Sequence, residues 1–459
     1  MKNFNNVNTM SASKYAEAGM NTFSSHVNFA DYEAYVNRHI ENQTMPTTFP
    51  PELLALTASE LNPAPCSNRR DLRALPCFTI DSVDTKDIDD AVCLIKKDDG
   101  YELSVHIADV AAYVTPGSDL EADALNRGTS VYLPHMTIPM LPPVLSEDLC
   151  SLNPCVDRNA VSVIIDLDKD AKVRKYEITK SLIHSRVKGV YNEIDDIING
   201  NAENTVLRKY NGLVPTLFDM RELAILLRSQ REKDGANITA TLSGKYVVEG
   251  ANIVRIVKSK NESDMLIEEF MVLANRLVAE YFTENNLPFI FRTQNVKQTL
   301  AGYSAVEGHH AELALQRYMH FTSPIRRLAD LKVHQVLTAH LIGKSTDAIK
   351  TTIGDNLAEA AEIATRRQRR ADDLYRHCEK VCNKYFFTSL QNNEFLAEVI
   401  GKSQRNLPIF FLRKYHIRIL GRAGMFAAEG IKVAAKISVS NHTGAVEVDR
   451  YKIIRNLAA

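Results

Sequence analysis

The order of apolar and polar positions predicts several strands in the first half of the chain. Apolar runs at 77–80 and 91–95 flank an acidic stretch, a pattern typical of a strand, a loop and a second strand. Lys97-Asp98-Asp99-Gly100 has the composition of a hairpin turn, so a further strand is expected at 101–107. Alternating apolar and polar residues at 160–178 predict a second β region.

Longer segments have apolar positions at helical spacing, and the last part of the chain returns to short β-rich runs. Strands and helices do not alternate regularly, which favours a mixed α+β core over a βαβ repeat. From about residue 395 the runs are typical of a small antiparallel barrel of the oligonucleotide-binding (OB/S1-like) kind, which could equally be a packing module. Helices are predicted at 32–40, 53–61, 119–126, 216–232, 262–285, 324–342 and 355–388, and the late strands at 395–400, 409–412, 416–419, 431–439 and 444–448.

The first part of the chain has no β-rich pattern. Residues 1–28 are expected to be flexible, and Asn62-Pro63-Ala64-Pro65 ends the region, which could dock on the main domain as an arm. These patterns divide the chain into an N-terminal region at 1–73, a main domain at 74–390 and a C-terminal barrel at 391–459.

Charge and composition limit the classes of partner. The 459 residues carry 55 Lys and Arg against 56 Asp and Glu, so a nucleic acid would have to meet a local basic surface such as a channel. Tryptophan is absent, which leaves base stacking to tyrosine and phenylalanine. No apolar run is long enough to span a bilayer, and no membrane association is expected.

The cysteines and the first residues bear on the compartment. Seven cysteines, an odd number without an exporting signal, favour reduced thiols and a cytoplasmic location. Neither Cys150/Cys155 nor Cys378/Cys382 has C-x-x-C spacing, so zinc is not expected. The first sixteen residues lack arginine and an apolar core, so a secretory signal is not expected, while an organellar transit peptide stays open.

Five aspartates fall within ten residues between the first two apolar runs. Four of them, Asp81, Asp87, Asp89 and Asp90, have a spacing with chemical meaning. Clustered carboxylates repel one another, a cost that is tolerated where hard divalent cations lie among the oxygens. Two magnesium ions about 4 Å apart can stabilise both the attacking and the leaving oxygen in phosphodiester cleavage. A solvated acidic turn is the alternative, because loops favour aspartate.

Two other stretches carry candidate functional groups. In F-T-S-P-I-R-R, Ser323 suits a helix N-cap and Pro324 the first helical position, which would place Arg326 in the first turn as part of an anion site. A capped helix with an exposed arginine is the alternative. Glu268 and Glu269 are adjacent on an amphipathic helix, so one of them should face inward unless both are solvated.

Three motifs together carry a resemblance to a known family. They are T-I-D-x5-D-x-D-D at 79–90, V-Y-L-P with I-P-M-L-P at 131–142, and H-F-T-S-P-I-R-R at 320–327. With them, residues 75–381 resemble the catalytic RNB domain of the ribonuclease II / ribonuclease R family of processive 3′→5′ exoribonucleases. Chance agreement of all three in this order is negligible, whereas the acidic loop alone would not support the assignment.

The resemblance implies an α+β fold in which a mixed sheet and helices surround a deep, basic, closed channel that admits only single-stranded RNA. It implies that Asp81, Asp87, Asp89 and Asp90 hold two magnesium ions, with manganese as a possible substitute, and orient water. Asp89 is expected to be the least replaceable. Arg326 matches the arginine that stabilises the pentavalent phosphate.

Three further residues match RNA-binding positions of the family. Tyr132 matches the tyrosine that stacks at the 3′ end and influences product length. Tyr191 matches the tyrosine near the ribose, although it could equally be a core tyrosine, and Glu269 matches the glutamate that works with it. The expected reaction releases nucleoside 5′-monophosphates from single-stranded RNA, and the chain is expected to act as a monomer.

The chain also departs from the family pattern. One or two cold-shock-type barrels usually precede the RNB domain, but here only about 74 residues do, without a β pattern. The segment at 235–242 lacks the phenylalanine of the family's base clamp. Two alternatives therefore stay open: a catalytically weak RNB-type protein that binds RNA or assembles with partners, and a phosphodiesterase for very short oligonucleotides.

Three features allow two interpretations each. Asp109 would either cap the turn after its strand or have a functional role. The basic run at 366–370 is either a solvated helix face or part of the RNA entrance. Direct contact between the C-terminal barrel and RNA is open, because the barrel has aromatic residues but no clear RNA-binding signature.

Overall fold

The computed structural model describes residues 21–26, 29–43, 45–64, 66, 68–238, 243–258, 261–295, 300–390, 393–440 and 445–454. The strands are β1 Asn21–His26, β2 Arg70–Asp71, β3 Thr79–Asp81, β4 Asp90–Lys97, β5 Gly100–Ala108, β6 Val131–Tyr132, β7 Thr137–Ile138, β8 Asp157–Asp168, β9 Val173–His184, β10 Lys188–Val190, β11 Ser243–Glu249, β12 Asn252–Lys258, β13 Phe291–Thr293, β14 Gly302–Ser304, β15 Glu394–Lys402, β16 Pro408–Leu412, β17 Ile417–Gly421, β18 Lys432–Val439 and β19 Val446–Ile453.

The helices within the described ranges are all too short or too polar to cross a bilayer. They are α1 Phe29–Asn42, α2 Pro51–Leu54, α3 Asp119–Arg127, α4 Tyr191–Ile198, α5 Asn204–Lys209, α6 Val214–Lys233, α7 Glu262–Glu284, α8 Leu328–Leu341, α9 Thr346–Thr352 and α10 Leu357–Ser389.

A five-stranded sheet in the order β2-β9-β8-β5-β4 lies in the larger hydrophobic core. Its last four strands are antiparallel neighbours, and β2 is parallel to β9. The predicted hairpin turn connects β4 to β5. A Cβ atom on Gly100 would lie 1.9 Å from the carbonyl oxygen of Leu167 on β8, so only glycine permits this approach of β5 to β8.

A second hydrophobic core joins the N-terminal helix to the C-terminal barrel. Tyr32 and Val36 of α1 belong to the same buried cluster as Cys378 and Cys382 of α10 and Phe395 of β15. The prediction that the N-terminal region docks on the rest of the chain is therefore confirmed. The predicted barrel is also confirmed: it is closed in the order β15-β16-β17-β19-β18, with β17 and β19 parallel to each other.

Some predicted boundaries are wrong. Residues 21–26, expected to be flexible, form β1, whose partner β12 lies more than 200 residues away and leaves no local signal. The helix predicted at 53–61 ends at Leu54, because Glu60 accepts hydrogen bonds from the backbone N–H and hydroxyl of Thr57 in a local turn. The helix predicted at 324–342 begins only at Leu328.

Candidate active site

The acidic loop between β3 and β4 is fixed by contacts at both of its ends. β3 pairs in parallel with β10, which sets Asp81 opposite Val190. The hydroxyl of Ser151 accepts the N–H of Ile88 at 3.1 Å and donates to the carbonyl oxygen of Lys86 at 2.6 Å. These bonds hold the loop as a rigid support for its carboxylates.

Burial raises the pKa values of Asp81, Asp89 and Asp90. Asp89 is 4% exposed, and burial raises its pKa well above the usual range although Arg326 opposes the shift. Burial also raises the pKa of Asp81, and of Asp90, where the charge of Asp81 adds to the effect. One carboxylate oxygen of Asp81, Oδ2, is buried and has no hydrogen-bond partner among the described residues. The repulsion in this cluster would be relieved by a cation.

Arg326 lies directly against this cluster, as the resemblance implies. Its Nε is 3.2 Å from Oδ2 of Asp89, and its Nη2 donates to the hydroxyl of Ser323 at 2.9 Å. The backbone N–H of Ile325 donates to the other oxygen of Asp89 at 2.8 Å. The side chain of Arg326 remains 42% exposed, so the guanidinium has a free edge for a ligand.

The position of Arg326 comes from tertiary contacts and not from a helix N-terminus, so the prediction that Ser323 caps a helix is wrong. Residues 323–327 precede α8, and Arg327 has extended backbone angles. Asp330, which is fully buried, accepts the N–H of Ser323 at 2.9 Å and Nη2 of Arg327 at 2.6 Å. Sequence reasoning missed Asp330, although its place three residues after Arg327 is compatible with such a pair.

The segment that carries Tyr132 is bonded to the segment that carries Arg326. Ser130 N–H and the hydroxyl of Thr129 each donate to the carbonyl oxygen of Arg326 at 3.0 Å. The proline-rich segment then folds into the short hairpin β6–β7. The hydroxyl of Tyr132 donates to Asp87, while 43% of the residue stays exposed. The three predicted motifs are therefore brought together at one place.

The N-terminal region supports this hairpin from outside. The hydroxyl of Tyr32 on α1 lies 3.3 Å from Nδ1 of His135 in the hairpin turn. The guanidinium of Arg127 lies 3.7 Å above the ring of Phe49 and donates to the carbonyl oxygen of Thr48 at 2.6 Å. Contacts of this kind give the N-terminal region a positioning role that its composition did not reveal.

The two predicted ribose-binding residues have different surroundings. Tyr191 begins α4 directly after β10, and burial followed by the charges of Asp90 and Asp81 raises its pKa, so it adjoins the acidic cluster. Glu269 is 1% exposed, which confirms that one of the glutamate pair faces inward. Both oxygens of Glu269 lie 2.8 Å from Nη1 of Arg231, a partner that sequence reasoning missed.

The cluster fits a divalent cation in donor type but is not arranged as a finished metal site. Four carboxylates with an unpartnered buried oxygen are the hard donors that magnesium prefers. In the described part of the chain, no three His, Cys, Asp or Glu side chains converge on one metal position. Asp87 is bonded to Tyr132 through one carboxylate oxygen and Asp89 to Arg326, so part of the donor set already has protein partners.

Other candidate residues are found away from this cluster. Asp109 stands at the N-cap position of the 3-10 turn Val110–Ala112, as one interpretation predicted, but its side chain makes no capping bond there and is buried in ion pairs with Arg69 at 2.7 Å and Lys180 at 2.6 Å. The basic run at 366–370 lies on α10, where Arg367 donates to the side chain of Asn126 at 3.0 Å. Residues 239–242 of the predicted clamp segment lie outside the described residues.

Comparison with known proteins decides the family. The model of the RNB domain matches residues 69–301 and 297–343, more than half of the chain. The chain belongs to the RNB domain family. Within the RNB relatives, Ribonuclease R 1 of Lactococcus lactis is 32% identical over 74% of this chain and 47% of its own length, and Ribonuclease R of Thermotoga maritima is 33% identical over 73% and 54%. The chain thus spans about half the length of the curated relatives it matches.

Solved structures share the RNB fold. Mycoplasma genitalium RNase R in complex with ribose methylated single-stranded RNA has a TM-score of 0.75 and 21% identity, covering 92% of this chain and 75% of that one. Yeast Ssd1, a pseudonuclease, has a TM-score of 0.62 and 18% identity, covering 88% and 57%. The fold is therefore shared by a protein with RNA bound and by a pseudonuclease.

Proposed function

We propose that the chain is a metal-dependent exoribonuclease that degrades single-stranded RNA processively from its 3′ end and releases nucleoside 5′-monophosphates. The observation that carries this proposal is the contact between Asp89 and Arg326, which joins the acidic loop to the guanidinium expected at the scissile phosphate. The names of the Ribonuclease R relatives and the RNA bound to the Mycoplasma enzyme support it.

Asp81, Asp87, Asp89 and Asp90 would hold the divalent cations, two magnesium ions with manganese as a substitute. When bound, such ions polarise the phosphate and supply a water nucleophile at neutral pH. Arg326, held by Asp89 and by the hydroxyl of Ser323, neutralises charge on the phosphate oxygens through its exposed edge.

Three side chains would orient the 3′ end. The exposed ring of Tyr132 offers a stacking face beside the acidic loop, and stacking contributes about 1–3 kcal/mol per base without sequence preference. Tyr191 and Glu269 would contact ribose, with the 2′-hydroxyl as the group that distinguishes RNA from DNA. We also propose that the protein acts as a cytoplasmic monomer.

A second candidate function is RNA binding with little catalysis. It is favoured by the bond between Asp87 and Tyr132, which turns one predicted metal ligand toward a protein donor. The fold shared with yeast Ssd1, a pseudonuclease, is compatible with it. A phosphodiesterase for very short oligonucleotides is a third candidate, which a comparison of rates on dinucleotides and 30-mers would separate.

One experiment tests these candidates together. Single-stranded RNA labelled at either end is incubated with the protein and magnesium, and the products are resolved by length. The exonuclease hypothesis requires mononucleotides from the 3′ end, with loss of activity in Asp89→Asn and on chelation. Asp98→Asn, a change in the β4–β5 turn, is the matched control and should retain activity. Tight binding without turnover in several divalent ions would refute the exonuclease hypothesis.

A further inference from the structure

Arg292 on β13 is a buried cation that forms no direct ion pair with a carboxylate in the described part of the chain. The residue is 8% exposed, yet among the described residues no carboxylate oxygen lies within the 4.0 Å of an ion pair. Neighbouring Arg327, in contrast, is paired with Asp330 at 2.6 Å. Asp372 on α10 is the nearby carboxylate: burial raises its pKa, and the charges of Arg376 and Arg292 oppose the shift, but it forms no direct ion pair with Arg292. A buried guanidinium without a direct counter-ion is costly, and such charges are retained where they bind a charged ligand.

The guanidinium of Arg292 is held in place by neutral groups. It lies 4.5 Å from the ring centroid of Tyr303, its cross-strand neighbour on β14, and donates to Oε1 of Gln368 on α10 at 2.8 Å. The hydroxyl of Tyr303 lies 2.9 Å from Nδ1 of His320. Tyr303 and His320 are both partly exposed, so the cluster is open to solvent on one side.

Several arginines place positive charge beside His320, and Asp330 acts on the neighbouring Tyr303. Burial, followed by the charges of Arg327 and Arg292, lowers the pKa of His320 well below its usual range, so the imidazole is neutral near pH 7. Arg326 contributes to the same field. A neutral imidazole with a hydroxyl and an unpaired guanidinium forms a donor set for an anion, and planar guanidinium groups match phosphate oxygens.

We propose that Arg292, Tyr303 and His320 bind one backbone phosphate of the RNA substrate, distinct from the scissile phosphate that faces Arg326. This site rests on the proposed function in that it assumes RNA as the ligand. Arg292 supplies the charge, and the hydrogen-bonded Tyr303–His320 pair supplies one neutral donor, either the hydroxyl or Nε2–H of the imidazole, depending on the tautomer. The contact reads no base and therefore suits a protein that binds RNA irrespective of sequence.

The test is a scan of RNA phosphates. A series of single-stranded RNAs, each with one neutral methylphosphonate linkage, is titrated against the Asp89→Asn protein, in which RNA is not consumed. We expect one linkage, other than the scissile one, whose neutralisation weakens binding about tenfold. In Asp89→Asn/Arg292→Gln the unmodified RNA should bind about tenfold more weakly, and neutralising that linkage should cost nothing further.

Salt dependence provides an independent readout that a purely structural role of Arg292 would not change. Loss of one phosphate contact on a single strand should reduce the slope of log affinity against log salt by about 0.7. Arg292→Lys should restore the slope that Arg292→Gln loses. Tyr303→Phe keeps the ring but should weaken RNA binding, and the loss should again map to the same linkage. Arg174→Gln, which removes an arginine paired with Asp99 on the far end of the sheet, is the matched control.

The outcomes are distinct. An unchanged slope, or a methylphosphonate profile that is the same in Arg292→Gln and its parent, overturns the proposal. If Arg292→Gln lacks a cooperative unfolding transition and is therefore not properly folded, Tyr303→Phe takes its place. A methylphosphonate profile unchanged in Tyr303→Phe then overturns the proposal. If binding depends on this one linkage but the wild-type protein releases no nucleotide, the phosphate site stands and the exonuclease function is refuted. If nucleotides are released but binding depends on no such linkage, the exonuclease function stands and the phosphate site is refuted.

Discussion

Nε of Arg326 lies 3.2 Å from Oδ2 of Asp89, although the two residues are 237 positions apart in the sequence. The backbone N–H next to Arg326 binds the other oxygen of the same carboxylate at 2.8 Å. One aspartate thus holds both the side chain and the main chain of the arginine loop. The acidic loop and the F-T-S-P-I-R-R motif therefore form one unit.

Arg326→Gln should lower kcat about 10²- to 10³-fold, because the charge that stabilises the phosphate is lost. Arg326→Lys should recover only part of the lost kcat. An ammonium lacks the planar, forked donors with which a guanidinium can contact Asp89 and the substrate at the same time. Single-turnover rates on short RNA would measure both. Arg174→Gln serves as the control, and wild-type rates in Arg326→Gln would contradict the assignment.

Ser323→Ala should lower kcat about tenfold with little change in KM or in unfolding temperature. It removes only the hydroxyl that accepts Nη2 of Arg326, so the arginine keeps its charge but loses one constraint on its orientation.

The matched change is Ser345→Ala, which removes a helix cap at the start of α9. That variant should lose about 1 kcal/mol of stability and keep its kcat. Steady-state kinetics with thermal unfolding would separate the two effects. A positioning role further requires that Ser323→Ala has no added effect in the Arg326→Gln background.

Tyr132→Phe and Tyr132→Ala should differ in the length of the final product. The phenylalanine keeps the stacking face and loses only the bond to Asp87, so the end product should keep the wild-type length. The alanine loses the ring as well, and digestion should stop at a different length. Gel analysis of 5′-labelled RNA gives the answer, with Tyr35→Ala on α1 as a surface control; identical ladders in all variants would exclude Tyr132 from the 3′-end site.

The protein should lose stability in acid through two buried histidines. Burial lowers the pKa of His106 and of His334 to about 4, whereas an unfolded histidine has a pKa of about 6.5. The unfolded chain therefore binds the extra protons. The stabilisation is complete above about pH 6.5 and is lost as the pH falls toward 4, by up to about 3 kcal/mol for each histidine.

Denaturant unfolding of the wild type and of His334→Gln at several pH values would measure this effect. The difference between the two isolates the histidine, because the buried aspartates titrate in both proteins. The variant should be less sensitive to acid between pH 6.5 and 4. Curves for His334→Gln that run parallel to those of the wild type would contradict the prediction.

The sequence predicts the site where the signal is local. The spacing of Asp81, Asp87, Asp89 and Asp90 and the β4–β5 turn are properties of contiguous residues, and the structure has them as a strand, a loop and a hairpin. The barrel was found for the same reason, since its strands follow one another along the chain.

What the sequence did not predict depends on partners that are distant along the chain. Ser323 and Pro324 have the residue types of a helix start, but the bonds to Asp89 and Asp330 hold them in a loop. The surroundings of Arg292 are equally invisible, because only the packed structure shows that no described carboxylate forms a direct ion pair with it. Tertiary context overrides local preference at both places.

The hydrophobic core shared by α1 and the barrel connects the N-terminal and C-terminal parts of the described chain. Tyr32 of α1 and Phe395 of the barrel are both buried in this core, and the β6–β7 hairpin that carries Tyr132 packs against the same core. Removal of the residues before Pro50 should therefore destabilise the C-terminal barrel and the hairpin that carries Tyr132 together.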